Sequence, residues 1–280
     1  MAITQYDTSL AQNVDGTVRR PSLRIDGGQT SRRPDSVSVE SALSIAVEKS
    51  GTTYELGLTM RTPGEDEELV IGFLHSEGVI QSSDCLSSVQ MGEDRVVVHL
   101  TDSAEFDPEA LTRRTTMTSS CGICGKDSIS NLLHIHGPEL SESFIASHQN
   151  VSDSVSGLRT KQKTFDLTGG THACGRAGPD GKITDVREDI GRHNAMDKLI
   201  GAALLAEEIP IDEEMVVVSG RASFELVQKA LKAGFPAMVS VGAPSSLAVD
   251  MANEHGMTLV SFANQDRMTV FSGSNRISVD

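Results

Sequence analysis

The C-terminal half of the sequence alternates between two hydrophobic patterns, and this alternation constrains the fold more than any other feature. Residues 182–187 have the pattern of a strand, and short, mostly apolar runs typical of buried strands lie at residues 215–219, 237–241, 259–262 and 268–271. The intervening segments that repeat apolar side chains at helical spacing are residues 188–204, 222–232 and 244–254. Strands that alternate with helices predict an α/β protein with a parallel or mixed sheet covered by helices.

The first third of the chain carries the signals of strands and turns. Residues 1–35 are polar without a sustained period, and they predict a flexible arm in which Leu23 and Ile25 form at most a short strand. Beyond the arm, residues 37–47 and 54–60 alternate as strands do and are joined by a hairpin turn.

One helix and one further strand complete this N-terminal unit. Thr62 is expected to cap a helix that Pro63 opens and that Gly78 ends. Residues 95–100 predict the last strand. A small β/α domain is therefore expected at residues 36–112.

Composition and charge exclude several classes of protein. The 280 residues suffice for one large or two modest domains. No apolar run approaches the 18 residues of a membrane span, and no signal-peptide pattern opens the chain, so a cytoplasmic protein without a membrane partner is expected. The net charge of −15 argues against a general nucleic-acid binder.

The pair formed by Cys121 and Cys124 is the densest concentration of chemistry. The hydroxyl side chains directly before the pair, Lys126 after it and an expected helix start all favour a thiolate. Three interpretations stay open on spacing alone: a zinc site completed by His172 and Cys174, a thioredoxin-type dithiol, or a carrier that holds sulfur as a persulfide. A tight turn around a buried histidine is the simpler alternative for the segment of His172.

Three further segments are candidates for binding an anion. Arg192, His193 and Asn194 come at the expected start of a long helix, where the helix dipole favours negative charge. The corners Ser219-Gly220-Arg221 and Ala243-Pro244-Ser245-Ser246 each follow a predicted strand. Ligands bind beyond the carboxyl ends of such strands, so both corners are predicted to hold phosphate through backbone N–H groups.

Five sequence motifs, in this order, closely resemble the formate dehydrogenase accessory sulfurtransferase family, FdhD/NarQ. The resemblance runs from about residue 38 to the C-terminus. The motifs are Ser119-Ser120-Cys121-Gly122-Ile123-Cys124-Gly125, Thr168-Gly169-Gly170-Thr171-His172, Glu188-Asp189-Ile190-Gly191-Arg192-His193-Asn194-Ala195, Ser219-Gly220-Arg221 and Ala243-Pro244-Ser245-Ser246-Leu247-Ala248.

The resemblance implies a sulfurtransferase that formate dehydrogenase requires. Sulfur from a cysteine desulfurase would pass as a persulfide, through Cys121 with Cys124 as relay or resolving thiol, to the bis-molybdopterin guanine dinucleotide cofactor. The resemblance also implies a homodimer and a cytidine-deaminase-like α/β domain at residues 113–280 that carries the cysteine loop. The alternatives are a non-catalytic chaperone that binds the cofactor or the apo-dehydrogenase, and a zinc-binding deaminase-like protein.

No permanently bound metal is expected, because the zinc deaminases place a His-x-Glu motif before a Pro-Cys-x-x-Cys motif and this chain does not.

The cofactor-binding residues follow from the resemblance as well. They are expected to be Ser219, Gly220 and Arg221, together with Phe262, Ala263, Asn264, Gln265, Asp266 and Arg267. Phe262 would stack on a guanine, and Arg221 and Arg267 would meet phosphates. The family usually reads Gly-Phe-x-Arg here, whereas this chain has Ser261 and Asn264 in place of the glycine and the arginine. A core position for Phe262 at a strand end is the alternative.

Overall fold

The computed structural model of the chain describes residues 16–107 and 137–279. Cys121 and Cys124, and the helix predicted after them, lie outside the described residues. The described chain is a mixed α/β protein, as the sequence predicts. None of the helices in these two ranges has the length and apolar character that a transmembrane span needs.

A four-stranded sheet and one helix form the N-terminal part. The strands are β3 (Ser41–Lys49), β4 (Thr52–Arg61), β5 (Leu86–Met91) and β6 (Arg95–Leu100), in the order β4-β3-β6-β5. The expected hairpin turn between β3 and β4 is confirmed, because Ser50 and Gly51 have φ of 52° and 78° there. Helix α1 (Asp66–Ser76) buries Leu69, Val70 and Leu74 against this sheet.

The start of α1 differs from the prediction. The helix begins at Asp66 after Glu65, whose φ is 56°, so Thr62 and Pro63 do not open it. Thr62 is buried; its backbone N–H donates to the Asp189 carboxylate at 3.0 Å, and its hydroxyl accepts from the N–H of Ile190 at 3.1 Å. Tertiary hydrogen bonds therefore occupy the residue that sequence reasoning assigned to a cap.

A β-hairpin occupies much of the segment that the sequence predicts as a flexible arm. Strands β1 (Thr17–Asp26) and β2 (Gln29–Ser38) pair antiparallel over ten residues each, around Gly27 and Gly28. The local strand expected at Leu23 and Ile25 is confirmed and is longer than predicted. Backbone hydrogen bonds hold the hairpin together, whereas Leu23 and Ile25 are both more than half exposed. Hydrophobic periodicity therefore did not predict the full length of the two strands.

A six-stranded mixed sheet organises the C-terminal part. Its strands are β8 (His172–Ala177), β9 (Ile183–Asp189), β10 (Met215–Val218), β11 (Ala237–Ser240), β12 (Thr258–Ser261) and β13 (Thr269–Ser272), in the order β13-β12-β11-β10-β8-β9. Strands β10, β11 and β12 run parallel, and the outer pairs are antiparallel. The predicted mixed sheet is confirmed.

Helices cover both faces of this sheet. They are α2 (His148–Lys161), α3 (Lys163–Thr168), α4 (Arg192–Leu205), α5 (Phe224–Ala233) and α6 (Ser246–Glu254). Side chains from α4, α5 and α6 form the core on one face, and α2 contributes to the core on the other. A short parallel pair, β7 (Ala146–Ser147) with β14 (Ile277–Ser278), lies beside them.

Helices α1 and α4 approach closely where two glycines meet. A Cβ on Gly72 would lie 1.8 Å from the carbonyl oxygen of Asp197, and one on Gly201 would lie 1.8 Å from that of Glu68. Only residues without a side chain allow two helix backbones to come this near. The contact fixes α1 against α4, whose first turn lies at the candidate site. The domain boundary at residue 112 falls outside the described residues and stays a prediction.

Candidate functional site at the carboxyl edge of the large sheet

The loops that follow β10, β11 and β12 meet at one edge of the large sheet. The N–H of Gly242 donates to the carbonyl oxygen of Gly220 at 2.9 Å, and the N–H of Phe262 donates to that of Gly242 at 3.1 Å. Strands β8 and β9 run in alternating directions, so His172 and Asp189, which pair with each other, lie at this edge too. The structure thus brings together segments that the sequence separates widely.

Gly242 joins two of these loops, and sequence reasoning missed it. A Cβ there would lie 2.9 Å from the carbonyl oxygen of Gly220 and 3.0 Å from the Cα of Arg221. No other residue type allows this approach without displacing backbone. The available signal was a glycine directly between a buried strand and one of the predicted corners.

The corner formed by Ser219, Gly220 and Arg221 is only partly available to a ligand. Ser219 is held by Ala173, since its N–H donates to the Ala173 carbonyl at 2.9 Å and its hydroxyl accepts the Ala173 N–H at 2.9 Å. The expectation that the Ser219 N–H holds phosphate is therefore wrong. Among the described residues, neither Gly220 nor Arg221 donates a hydrogen bond, and Arg221 is exposed.

The second predicted corner is occupied by structural bonds. Ser245 caps α6, because its hydroxyl accepts the N–H of Ala248 at 3.2 Å, and its own N–H donates to the carbonyl of Ala222 at 3.0 Å. The carbonyl of Ala243 accepts the Ala222 N–H at 3.2 Å. This corner braces the first one, and its Ser245 N–H is not left for a phosphate.

The segment from Phe262 to Arg267 forms a loop closed by Asn264. The side-chain oxygen of Asn264 accepts the N–H groups of Asp266 and Arg267 at 2.9 and 3.0 Å, and its backbone N–H donates to the Arg267 carbonyl at 2.9 Å. Asn264 therefore shapes the loop from within, a role its position in the motif does not reveal. Asn264, Gln265 and Asp266 are exposed as whole residues, and Arg267 makes no ion pair among the described residues.

Phe262 departs from ordinary strand geometry, and its two neighbours hold it in place. Phe262 follows the end of β12 with φ of 55° and is 39% exposed, so the alternative of a core position is wrong. A large residue in the left-handed region is strained, and such strain clusters at functional sites. Ala263 is buried, and its N–H donates to the Ser240 carbonyl at 3.1 Å, so it anchors the loop. The Ser261 hydroxyl pairs with that of Ser240 at 2.7 Å.

Asp189 is the polar centre beneath this edge. One carboxylate oxygen accepts the N–H of Gly191 and the Asn194 amide, at 2.8 and 3.0 Å. The other accepts the Thr62 N–H and the Lys198 ammonium, both at 3.0 Å, with Asp189 and Lys198 almost fully buried. Asn194, predicted to help bind an anion, is instead used in this network, because its amide also donates to the Met60 carbonyl at 2.8 Å.

His172, Arg192 and His193 form a cluster of basic side chains at the same edge. Burial, and next to it the charges of Arg192 and His193, lower the pKa of His172, whereas Asp189 acts in the opposite direction. The Nε2 of His193 lies 2.8 Å from the Glu225 carboxylate. A Cβ on Gly220 would lie 3.4 Å from the Nδ1 of His172, so this cluster adjoins the first corner.

Cys174 is unsuited to accepting sulfur. It is buried, and that burial, with Asp197 adding to it, raises the pKa of its thiol far above the usual range. The thiol lies 3.9 Å from the Arg192 carbonyl oxygen. A persulfide acceptor must react as a thiolate, so Cys174 does not suit that step. The described ranges contain no cluster of three acidic, histidine or cysteine side chains that would hold a metal ion.

The geometry defines a class: a mixed α/β protein in which the strained loop at Phe262, the corner at Gly220 with Gly242 and a cluster of basic side chains share one sheet edge. Residues 38–278 match the model of the FdhD/NarQ family. The chain belongs to that family.

Relatives and a solved structure agree with this assignment. The chain is 39% identical to the sulfur carrier protein FdhD of Streptomyces coelicolor, over 94% of this chain and 96% of the relative. It is 42% identical to that of Nocardia farcinica, over 93% and 95%. A crystal structure described as a formate dehydrogenase accessory protein from Desulfotalea psychrophila has the same fold, with a TM-score of 0.75, 24% identity and coverage of 94% of this chain and all of that one.

Proposed function

We propose that this protein carries sulfur for the maturation of formate dehydrogenase. A cysteine desulfurase donates the sulfur, Cys121 holds it as a persulfide, and the bis-molybdopterin guanine dinucleotide cofactor receives it as the cargo. The observation that carries the proposal is membership of a family whose curated relatives are named sulfur carrier proteins. The name of the structural neighbour points to formate dehydrogenase as the recipient.

Sulfur loading is an exchange between two sulfur atoms. The thiolate of Cys121 attacks the outer sulfur of the donor persulfide, the bond from that sulfur to the donor cysteine breaks, and the donor leaves as a thiolate. Cys124 then acts as relay or resolving thiol. The two other cysteines do not compete, because Cys174 is buried and kept protonated and Cys85 packs half-buried against the N-terminal core.

The cofactor is proposed to bind at the sheet edge. Phe262 offers a half-exposed ring held by a strained backbone, which suits stacking on a guanine. Arg221 and Arg267 supply guanidinium groups without partners among the described residues, which suits phosphates. Gly242 holds the loops of these residues together through its two backbone hydrogen bonds.

We further propose a cytidine-deaminase-like architecture for residues 113–280, a homodimer and a place in the cytoplasm. Support for the architecture is the six-stranded mixed sheet with helices on both faces. Superposition on a solved cytidine deaminase and measurement of the mass in solution test the first two.

Mass spectrometry after incubation with a cysteine desulfurase and cysteine tests sulfur loading. We expect an added sulfur atom on the wild type, none on Cys121→Ala, and an undiminished load on the matched control Cys174→Ala. Unchanged loading of Cys121→Ala would defeat the assignment. GDP serves as a fragment of the guanine dinucleotide cofactor in binding measurements. If no variant accepts sulfur but the protein still binds GDP, the result would instead favour a non-catalytic chaperone that binds the cofactor.

A further inference from the structure

The hairpin of β1 and β2 is anchored at its base and exposed over the rest of its length. Thr17 is buried, and the Ser38 hydroxyl pairs with that of Thr168 in α3 at 2.8 Å. Beyond this base, residues 19–35 are exposed except for the half-buried Ser22. A two-stranded hairpin that buries so little gains little stability by itself, so packing within the described residues does not account for its length.

This hairpin is a basic segment of an acidic chain. Residues 17–38 contain five arginines and two aspartates, which gives them a net charge of +3. The whole chain carries −15, so the remaining residues carry −18. Two copies of the chain repel each other unless their contact joins the basic segment of one copy to the acidic remainder of the other.

The strand register divides the side chains of the hairpin between two different faces. Residues directly opposite each other in an antiparallel pair share a face. One face, called here the apolar–basic face, contains no acid, and its Leu23 and Ile25 are 56% and 68% exposed. Its two arginines make no ion pair with any described residue. The members of this face are Arg19, Pro21, Leu23, Ile25, Thr30, Arg32 and Pro34.

The opposite face neutralises most of its own charge. Arg20 lies opposite Asp35 in the register, and the guanidinium of Arg24 lies 3.6 Å from the Asp26 carboxylate. Only the apolar–basic face therefore combines exposed apolar side chains with unpaired positive charge. Exposed apolar groups with polar groups around them mark surfaces that bind other proteins, and arginine is enriched in such interfaces.

The edges of the hairpin are poorly suited to pairing with a further strand. Pro21 and Pro34 lie opposite each other midway along the two strands. The residues that flank the two-residue turn, Asp26 and Gln29, form a hydrogen-bonded pair, and alternation from there makes the two prolines a pair whose backbone nitrogens point outwards. Proline has no N–H, so each edge lacks a donor at that point. A partner is therefore expected to contact a face of the hairpin.

We propose that the apolar–basic face docks on the acidic surface of a second copy of this chain. The inference rests on the proposed homodimer and is independent of sulfur transfer. The face is seven residues long and two strands wide, or about 23 Å by 10 Å. A symmetric pair makes this contact twice, and each contact covers surface on both copies. The buried area is then about 900 Å², close to the roughly 1,000 Å² that a specific interface needs.

Sedimentation equilibrium of the full chain tests the contact. We expect a dimer in the wild type and an association at least about tenfold weaker when Arg19→Glu and Arg32→Glu are combined, because both reversed charges then meet an acidic surface. The matched control combines Arg20→Glu with Arg33→Glu. It changes the net charge equally on the opposite face, and it should weaken the association less than about threefold.

A second variant separates the apolar part of the contact from the charges. Leu23→Ser combined with Ile25→Ser leaves the net charge unchanged and should also weaken the dimer, because it removes the apolar surface that the contact buries. Thermal melts show whether each variant keeps its fold. Both side chains are exposed in the single chain, so an unchanged melting temperature of the monomer is expected.

Three results would overturn the docking. They are a monomeric wild type, a dimer that Arg19→Glu with Arg32→Glu weakens no more than the control does, and binding of a duplex oligonucleotide that this variant abolishes while the dimer persists. The last result would assign the face to nucleic acid. Sulfur loading of Cys121, measured on the same samples, separates the two proposals. A wild type that dimerises through this face without accepting sulfur supports the docking and refutes the carrier function.

Discussion

Gly201→Ala is expected to push helices α1 and α4 apart. The new Cβ would lie 1.8 Å from the carbonyl oxygen of Glu68 and 2.8 Å from the backbone nitrogen of Gly72. Cβ atoms are not found closer than 3.0 Å to such atoms, so the backbones must separate locally by about 1.2 Å, the difference between those two distances. The obstacle is backbone, so no side-chain rotation relieves it.

Two opposing effects set the size of the loss. Overpacking costs about 1–3 kcal/mol, and a clash with backbone belongs at the upper end. Alanine in place of glycine inside a helix gains about 1 kcal/mol in return. The expected net loss in the free energy of unfolding is therefore about 2 kcal/mol, or a fall of roughly 4–8 °C in melting temperature for a chain of this size.

Gly157→Ala in α2 is the matched control for this substitution. Its Cβ would meet only the side chain of Ile183, at 3.0 Å, and that side chain can adjust, so the helix gain should leave stability equal or slightly raised. Urea unfolding and thermal melts of both variants compare them directly. The reasoning is refuted if Gly201→Ala proves as stable as Gly157→Ala.

Three further predictions concern buried charge and the cofactor loop. Burial lowers the pKa of His75 below 6.5, so the unfolded chain binds a proton more readily in acid than the folded chain does. The free energy of unfolding should therefore fall as the pH drops below about 6.5. His75→Asn should reduce this pH dependence when urea unfolding is compared at about pH 7.5 and 5.5. Lys198→Met leaves the Asp189 carboxylate buried without its ammonium partner and should lower the free energy of unfolding by about 3–5 kcal/mol in chemical unfolding. A double variant that also carries Asp189→Asn should recover part of that loss. If the losses of the two single variants simply add in the double variant, the ion pair is contradicted. Asn264→Ala removes the oxygen that closes the loop and should weaken GDP binding about twofold to tenfold in calorimetry with an unchanged melting temperature; an unaltered affinity would show that the loop needs no such closure.

Local patterns in the sequence predicted most of the helices and strands, because the apolar residues that an element buries recur along it at a fixed spacing. The strand at residues 215–219 and the helix that buries Met196, Leu199 and Ile200 were recognisable in this way, and the structure confirms both. Turn-forming residues likewise predicted the hairpin turn at Gly51, which the structure confirms. Where hydrogen bonds without side-chain burial hold the chain, as in the hairpin of β1 and β2, the same reasoning failed.

The candidate site shows the limit of motif reading. Sequence order gave no means of knowing that Ser219 is held by Ala173, that Asn194 serves Asp189, or that Phe262 leaves the strand in a left-handed conformation. Each of these depends on which strand lies beside which, and pairing partners far apart in the chain leave no local pattern. The sequence shows which residue types are present, but it does not show whether their polar groups are free to bind a ligand.

By itself, the sequence determined the α/β class, the order of the C-terminal elements, the cysteine pair and the family motifs. Each of these can be recognised from residues that lie only a few positions apart in the chain. Only the tertiary structure decided that His172 and Arg192 lie at one sheet edge and that Gly72 and Gly201 let two helices touch. The physical reason is that electrostatic and steric contacts act through space, and the strand order β13-β12-β11-β10-β8-β9, which brings these residues together, is a property of the packed chain.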